Sequence, residues 1–382
     1  MNKKIKIAYC IPSLYYPSGM ERVLTLKANY FAEHFGYEMH IILTDGKDKE
    51  PYYKLYPSIT LHQLDINYDE MYGRSLWKRI SGYWNKQQLF MKRLNDCLCE
   101  IRPDITISLL RRDINFINKM KDGSIKLGEI HFNKSNYREF SDNRLPAFVQ
   151  HCVKKYWMWQ LIRQVRQLKR FVVLSYEDAA EWTKLKNVAV IYNPLPFFPE
   201  RQSDGSSKQV IAAGRYMPQK GFDRLIDAWS IVNMQHPDWV LRIYGDGMRQ
   251  QLQQQIDRLG IASSCILEHS TPDIDEKYCE SSIFALSSRY EGFGMVIIEA
   301  MACGIPPVSF ACPCGPRDII DDGKNGLLVE NGNIEMLAGK ICYLIENDEI
   351  RRKMGQQARI DVERFKIEQI AGQWKELFES LV

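Results

Sequence analysis

Short apolar runs alternate with longer amphipathic stretches along the chain. The run Lys4–Ile11 predicts a β-strand, the amphipathic segment Met20–His34 predicts a helix, and Glu38–Leu43 predicts the next strand. Strand-like runs recur at 105–109 and 171–174. Because strands that alternate with helices form parallel sheets, this half predicts a doubly wound α/β domain.

The composition shifts to Pro, Gly, Ser and charge between residues 195 and 209, which predicts a linker. The strand and helix alternation then restarts, with runs at Gln209–Ala213, Phe222–Met234, Val240–Tyr244, Ile283–Ser287 and Pro307–Phe310. The last segment, Phe365–Leu381, places an apolar stripe from Ile367 to Leu381 on one helical face, and this stripe requires a partner surface. We therefore expect domains at 1–195 and 196–362, and a C-terminal helix at 363–382 that packs back on the first domain.

Length and composition agree with two soluble domains. A chain of 382 residues with 45% hydrophobic side chains exceeds what one core usually organises. The longest apolar stretch, Met295–Cys312, contains Glu299 and two prolines, so no membrane span is predicted. Lys6 lies inside the first apolar run and Pro12 ends it, which argues against a signal peptide. We expect a cytoplasmic protein.

Ten cysteines are scattered without a CxxC pair, and no histidine lies at ligand spacing near Cys303, Cys312 and Cys314. These thiols are therefore interpreted as structural. Asp273 and Asp275 have the form of a DxD metal motif, but they occupy a Pro-containing loop beside Glu276 and Lys277. We expect no metal site.

The net charge of +4 is distributed unevenly. Residues 1–195 hold 31 Lys and Arg against 20 Asp and Glu, whereas the remainder holds 20 against 27. The first domain is thus expected to contact something anionic. The basic, aromatic stretch Lys154–Arg170 can lie on an anionic bilayer. The alternative is an ordinary helix that buries Trp157, Leu161, Val165 and Leu168. No nucleic-acid recognition motif accompanies the charge.

Two motifs of the second domain carry candidate chemistry. In Ser287–Pro306, which follows a strand and enters a helix, Glu291 and Glu299 lie eight residues apart, and the helix N-terminus suits a diphosphate. In Ala213–Gly221, Arg215 and Lys220 flank a turn. Two such cations can stabilise a departing nucleoside diphosphate where other enzymes use a metal. The alternative is a pair of exposed basic residues that balance an acidic domain.

Two further candidates lie in the first domain. The loop Pro17–Val23 joins the first strand to the first helix, and it lacks the GxGxxG fingerprint of a nicotinamide site. It can also be a tight turn with no ligand. His131 follows a strand-like stretch, where a lone histidine is more often structural.

Together these motifs resemble one family. The Ser287–Pro306 string resembles the Glu-x7-Glu signature of retaining glycosyltransferases of the GT-B fold, family-4 type (group 1). Ala213–Gly221 matches that family's Gly-Arg-x4-Lys-Gly pattern, and Pro17–Val23 resembles its Gly-Gly-x-Glu-Arg-Val loop, with Ser18 in place of the first glycine. The resemblance implies two facing Rossmann-like domains with a deep interdomain cleft.

The resemblance also implies roles for single residues. Glu299 would bind the donor ribose, while Glu291 and His131 would contact the donor sugar. Arg215 and Lys220 would hold the diphosphate, and Gly19 would approach a donor phosphate. Phe293, Gly294 and Met295 would line the phosphates and sugar with backbone amides.

The sequence departs from the family at two positions. Glu268-His269-Ser270 stands where a glycine usually precedes the base-reading loop, and the usual Gly-Gly-x-x-Glu is Gly315-Pro316-Arg317-Asp318. The second variant resembles a subgroup that builds exopolysaccharides and lipid-linked oligosaccharides from UDP-galactose or UDP-N-acetylgalactosamine.

The expected function is metal-independent, retaining transfer of a hexose or N-acetylhexosamine from a UDP-sugar to a glycan or lipid-linked saccharide, at the inner face of the cytoplasmic membrane. A sugar-nucleotide epimerase of the same fold is one alternative. A non-catalytic module that binds nucleotide sugars or glycans is the other.

Overall fold

The computed structural model describes residues 4–46, 48–68, 76–134, 137 and 147–382. The chain divides into two compact units. The first comprises Met1–Leu174, Asp178–Pro194 and Ile367–Val382, and the second comprises Ser175–Glu177 and Leu195–Lys366. The predicted boundary after residue 195 lies one residue from the observed division at Pro194.

The first unit is built on one parallel sheet in the order β3-β2-β1-β4-β5-β6-β7. Its strands are β1 (Lys6–Ile11), β2 (Glu38–Leu43), β3 (Thr60–Gln63), β4 (Ile105–Ser108), β5 (Ile125–Glu129), β6 (Arg170–Val173) and β7 (Val188–Val190). Its helices are α1 (Gly19–His34), α2 (Leu76–Ile101) and α3 (Ala147–Val165), while α4 (Tyr176–Glu181) begins in the second unit and ends in the first. The strand order reverses between β1 and β4.

Apolar side chains fill both faces of this sheet. One cluster joins Phe31 of α1 to Ile41 of β2, and the other joins Leu94 of α2 to Leu161 of α3. The last helix, α12 (Ile367–Glu379), belongs to the first cluster through Ile370, Ala371, Trp374 and Phe378. Its apolar stripe is therefore buried within the first unit.

The final segment joins the first unit at Ile367, four residues after the predicted start at residue 363. Val362–Phe365 forms a 3-10 turn of the second unit, where the Phe365 ring lies 5.6 Å from the Phe293 ring and its carbonyl accepts the Leu195 amide at 2.7 Å. Phe365 is therefore part of the core of the second unit. It does not extend the stripe of α12.

The second unit has its own parallel sheet in the order β10-β9-β8-β11-β12-β13. Its strands are β8 (Gln209–Ala213), β9 (Val240–Tyr244), β10 (Cys265–Glu268), β11 (Ile283–Leu286), β12 (Pro307–Phe310) and β13 (Leu327–Val329). Its helices are α5 (Phe222–Gln235), α6 (Arg249–Leu259), α7 (Ile274–Cys279), α8 (Met295–Ala302), α9 (Pro316–Ile319), α10 (Ile334–Glu346) and α11 (Asp348–Asp361). The prediction of two doubly wound, parallel-sheet domains is confirmed.

Candidate functional site

The strand order of the second sheet reverses between β8 and β11. Chains leave such neighbouring strands toward opposite faces of the sheet, which opens a crevice at the carboxyl ends where ligands of α/β proteins bind. The loop after β8 contains Arg215 and Lys220, and the loop after β11 contains Glu291. The topology of this unit therefore brings the two predicted motifs to one edge.

Lys220 and Glu291 meet there. The Lys220 Nζ lies 2.8 Å from Glu291 Oε1, with side chains 15% and 7% exposed. The Ser288 hydroxyl donates to the same carboxylate oxygen at 2.6 Å. Burial raises the pKa of the neighbouring Cys312 thiol, and the Glu291 charge raises it further. A mostly buried ammonium is thus held by one carboxylate at the edge where the strand order reverses between β8 and β11.

Several bonds fasten the two loops to each other. The Arg289 amide donates to the Gln219 carbonyl at 2.8 Å, and Ser287 Oγ donates to the Lys220 carbonyl at 3.0 Å. The Arg289 guanidinium binds both carboxylate oxygens of Asp223, at 2.8 and 2.6 Å. Sequence reasoning missed Ser287, Ser288 and the Arg289 pair with Asp223. These contacts fix the position from which Lys220 extends.

Two glycines are needed for the shape of these loops. Gly221 has φ +63°, and a Cβ there would lie 2.1 Å from the Ser287 carbonyl oxygen. Gly294 has φ +99° and caps the N-terminus of α8. A side chain at either residue would strain the backbone, and at Gly221 it would also separate the two loops.

The other predicted donor-site residues of this unit lie on the same loops or on α8. Glu299 is buried on α8, where the Tyr278 hydroxyl donates to its Oε2 at 3.4 Å. Phe293 is buried and Met295 begins α8. Arg215 is exposed and forms no ion pair with any described carboxylate. Its convergence with Lys220 on one ligand stays a prediction.

In the first unit, the predicted residues lie at the carboxyl ends of β1 and β5. Gly19 begins α1, and a Cβ at Gly19 would meet no atom within 4 Å. His131 follows β5, and its Nε2 lies 3.0 Å from Glu129 Oε1. Glu129 also binds Lys27 of α1, a partner that sequence reasoning missed. Burial alone would raise the pKa of Glu129, but Lys27 and His131 outweigh it and lower that pKa to about 2.

The two segments that depart from the family pattern, 268–270 and 315–318, both form polar contacts with other residues. After β9, Asp246 accepts bonds from Ser270 and, at 2.7 Å, from His269, and these bonds lower the pKa of Asp246 to about 2. In the second departure, Arg317 pairs with Glu177 at 2.8 Å, and both residues belong to the second unit. Each variant segment is therefore tied to a neighbouring segment of its own unit.

In the described ranges, no group of three or more His, Cys, Asp or Glu side chains lies together in a position to hold a metal ion. Asp273, the first residue of the DxD pattern, is exposed at the start of α7. No helix in the same ranges combines the length and apolarity that a bilayer crossing requires.

The basic stretch of the first unit forms most of α3 and packs its apolar residues against the sheet. Leu161, Val165 and Leu168 are buried, as the packing alternative expects. On the opposite side, Tyr156 and Trp159 stack with ring centroids 6.0 Å apart and remain 58% and 56% exposed.

Comparison with known proteins finds a family match in the second unit and relatives of the chain. Residues 196–361 match the family described as glycosyl transferases group 1. Over 377 residues, covering 97% of this chain and 99% of the relative, the chain is 27% identical to an uncharacterized glycosyltransferase of Haemophilus influenzae. It is 32% identical over 232 residues to the amylovoran biosynthesis glycosyltransferase AmsD of Erwinia amylovora, covering 56% of this chain and 65% of that relative.

A solved structure extends the likeness to the whole fold. A TarM variant from S. aureus, crystallised with fondaparinux, alpha-GlcNAc-glycerol and UDP, resembles this chain with a TM-score of 0.77 at 18% identity, covering 98% of this chain and 99% of that one. The group 1 match spans nearly all of the second unit. The chain therefore has the GT-B fold, and residues 196–361 of its second unit match the group 1 glycosyl transferases.

Proposed function

We propose that this chain is a retaining glycosyltransferase that moves a hexose or N-acetylhexosamine from a UDP-sugar to a glycan or lipid-linked saccharide during assembly of a surface polysaccharide. The observation that supports this most is the Lys220–Glu291 ion pair. It lies where the strand order of the second sheet reverses, in the unit that matches the glycosyl transferase family. A nucleoside diphosphate gains negative charge as it leaves. An ammonium already positioned in the site can stabilise that charge.

The charged residues of the second unit each have one role in the proposed transfer. Lys220 and the exposed Arg215 bind the diphosphate, and the amide groups at the start of α8 add partial positive charge. Glu291 accepts a hydroxyl of the donor sugar once the diphosphate has taken Lys220. Glu299 binds the ribose. Because fixed cations supply the charge, we propose that no divalent ion takes part.

The donor and acceptor classes rest on the relatives. TarM was crystallised with UDP and alpha-GlcNAc-glycerol, and AmsD is a glycosyltransferase of amylovoran biosynthesis. The Gly315-Pro316-Arg317-Asp318 variant resembles the subgroup that uses UDP-galactose or UDP-N-acetylgalactosamine. These two sugar nucleotides are therefore the first donors to test.

The test is acceptor-dependent release of UDP by the purified chain. We expect release from a UDP-sugar in the presence of lipid-linked saccharides, with an α-linked product from an α-linked donor by NMR. Lys220→Met and Glu291→Gln should each lower kcat at least about 100-fold, the scale of losing one transition-state contact. Isomerisation of the sugar nucleotide without acceptor would instead identify an epimerase.

Lys208→Met is the matched control. Lys208 forms an exposed ion pair with Asp238 at 2.5 Å, and it precedes β8 at the opposite end from Lys220. We expect this variant to keep the wild-type rate. Binding of sugar nucleotides without any turnover would support a binding module and contradict the proposed transfer.

We further propose that α3 rests on the anionic surface of the cytoplasmic membrane. Tyr156 and Trp159 are exposed beside Lys155, and the Arg163 guanidinium lies 5.5 Å from the Trp159 ring centroid. Aromatic rings at the headgroup level together with cationic side chains are typical of interfacial helices. A lipid-linked acceptor would then be presented at the surface that the enzyme already occupies.

Vesicle sedimentation tests this surface. We expect binding to phosphatidylglycerol vesicles, weaker binding to phosphatidylcholine, and loss of binding in Tyr156→Ala/Trp159→Ala. Tyr343→Ala, which removes an exposed aromatic residue of α10 in the second unit, should bind like wild type. Equal binding by both variants would contradict the assignment to α3.

A further inference from the structure

Lys27 and Glu129 form an ion pair inside the first unit. Lys27 lies on α1, Glu129 ends β5, and each side chain is 1% exposed. Removing two charges from water costs several kcal/mol for each ion, and a buried pair rarely stabilises a fold more than apolar side chains of similar volume. Stability alone therefore does not account for this pair.

Two aromatic rings lie beside the Lys27 ammonium. The Lys27 ammonium lies 4.5 Å from the ring centroid of Trp374, on α12, and 5.6 Å from that of Tyr9. Both rings are buried. The ammonium is thus held in a cage that the C-terminal helix completes, and it cannot turn away from Glu129 into solvent.

Glu129 is shared between Lys27 and His131. Its Oε1 lies 3.0 Å from His131 Nε2, and the His131 side chain is 6% exposed. The ring is out of line for a hydrogen bond, and neither His131 Nε2 nor Glu129 Oε2 has another hydrogen-bond partner in the described part of the chain. At 3.0 Å, a small rotation of the imidazole completes the bond. A carboxylate partner fixes the proton on Nε2 and leaves Nδ1 for a ligand.

We propose that Lys27 and Glu129 are positioning residues for His131: the caged ion pair sets the imidazole orientation and tautomer in which His131 meets the donor sugar. The proposal rests on the proposed function for its effect on turnover. Lys27 neutralises Glu129 and prevents its rotation, and Glu129 holds Nε2. Neither residue touches the substrate.

The kinetic test uses Glu129→Gln, Lys27→Met and the double variant, with UDP release as the assay. Carboxylates that orient a metal-binding histidine typically contribute about tenfold or more to activity, and we take the same scale for His131. We expect at least that loss in kcat for each variant, with little change in KM for the donor. The double variant, which leaves no unpaired buried charge, should regain thermal stability while kcat stays low.

Two comparisons separate positioning from a merely structural role. In a His131→Ala background, Glu129→Gln should lower kcat no further, because its effect passes through the ring. Lys126→Met is the matched control, since Lys126 also belongs to β5 and pairs with Asp122 at 2.5 Å while mostly buried. It should lose stability and keep kcat. Recovery of kcat in the double variant, or additive losses with His131→Ala, would overturn the proposal.

A spectroscopic readout tests the same pair without turnover. Long-range proton–nitrogen correlation NMR of the histidine rings, assigned with His131→Ala, reports which ring nitrogen carries the proton. We expect the Nε2–H form in wild type and a shift toward the other tautomer in Glu129→Gln. An unchanged tautomer would overturn the proposal. If no sugar nucleotide is turned over by wild type, the proposed function fails while this measurement still decides the positioning role.

Discussion

Acid should weaken the first unit by protonating Glu129. Lys27 and His131 hold the pKa of this carboxyl at about 2, against an ordinary value of 4.5. A depressed pKa stabilises the fold at pH values above the unfolded pKa, and this stabilisation is lost as the pH falls toward the folded pKa. A pKa of about 2 in the folded unit, against 4.5 in the unfolded chain, is worth about 3 kcal/mol at pH 6 and about 1 kcal/mol at pH 3. We therefore expect a loss of about 2 kcal/mol between these pH values.

The comparison protein is Lys27→Met/Glu129→Gln, which has neither charge. The difference in pH dependence between the two proteins therefore reports Glu129 together with its pairing to Lys27 and His131. Asp113, whose pKa burial raises to about 6, acts in the opposite direction but is present in both. Urea unfolding at pH 6 and pH 3, fitted with one transition for each unit, gives the two free energies. If both proteins lose the same stability, Glu129 does not have the depressed pKa.

Three further predictions concern the loops and the metal. Gly19→Ala should keep the wild-type Tm, because the added Cβ meets no atom, but should lower UDP release if a donor phosphate approaches this backbone; unchanged release contradicts that role. Gly221→Ala should destabilise the second unit by about 2 kcal/mol or more, as measured by urea unfolding. The control is Gly372→Ala on α12, where the added Cβ has open space, and it should not destabilise the first unit. EDTA should leave UDP release unchanged, and a loss that Mg²⁺ restores would contradict a role for Arg215 and Lys220 in place of a metal.

The sequence was most informative where local pattern decides structure. Glu38–Leu43 and Val240–Tyr244 are strands with the predicted bounds, since a short apolar run between helices fits a buried parallel strand. The sequence does not place Phe365, because an apolar residue beside a helical stripe does not reveal which core it enters. Lys27 and Glu129 were missed because 102 residues separate them, and nothing local to either residue marks a buried charge.

In the candidate site, the residues within sequence motifs were predicted and the contacts between loops were not. Lys220 and Glu291 were singled out by spacing within two motifs, and the reversal of strand order between β8 and β11 explains why these motifs meet. Ser288 and the Arg289 pair with Asp223 were not predicted, because serines and surface ion pairs are frequent in any loop. Their importance depends on which loops the sheet places side by side.

The direct contact between Lys220 and Glu291 has a consequence for nucleotide binding. In the free chain the ammonium is neutralised by Glu291, so the diphosphate must compete with a carboxylate for it. Glu291→Gln removes the competitor and should tighten UDP binding by about 1 kcal/mol, or roughly fivefold in Kd, even as transfer is lost. Ser288→Ala is the control, because it removes a 2.6 Å hydrogen bond to Glu291 and leaves the charge in place. Calorimetric titration with UDP measures both variants. Weaker or equal binding by Glu291→Gln would mean that Lys220 does not receive the diphosphate, since releasing it from its carboxylate would then have brought no gain.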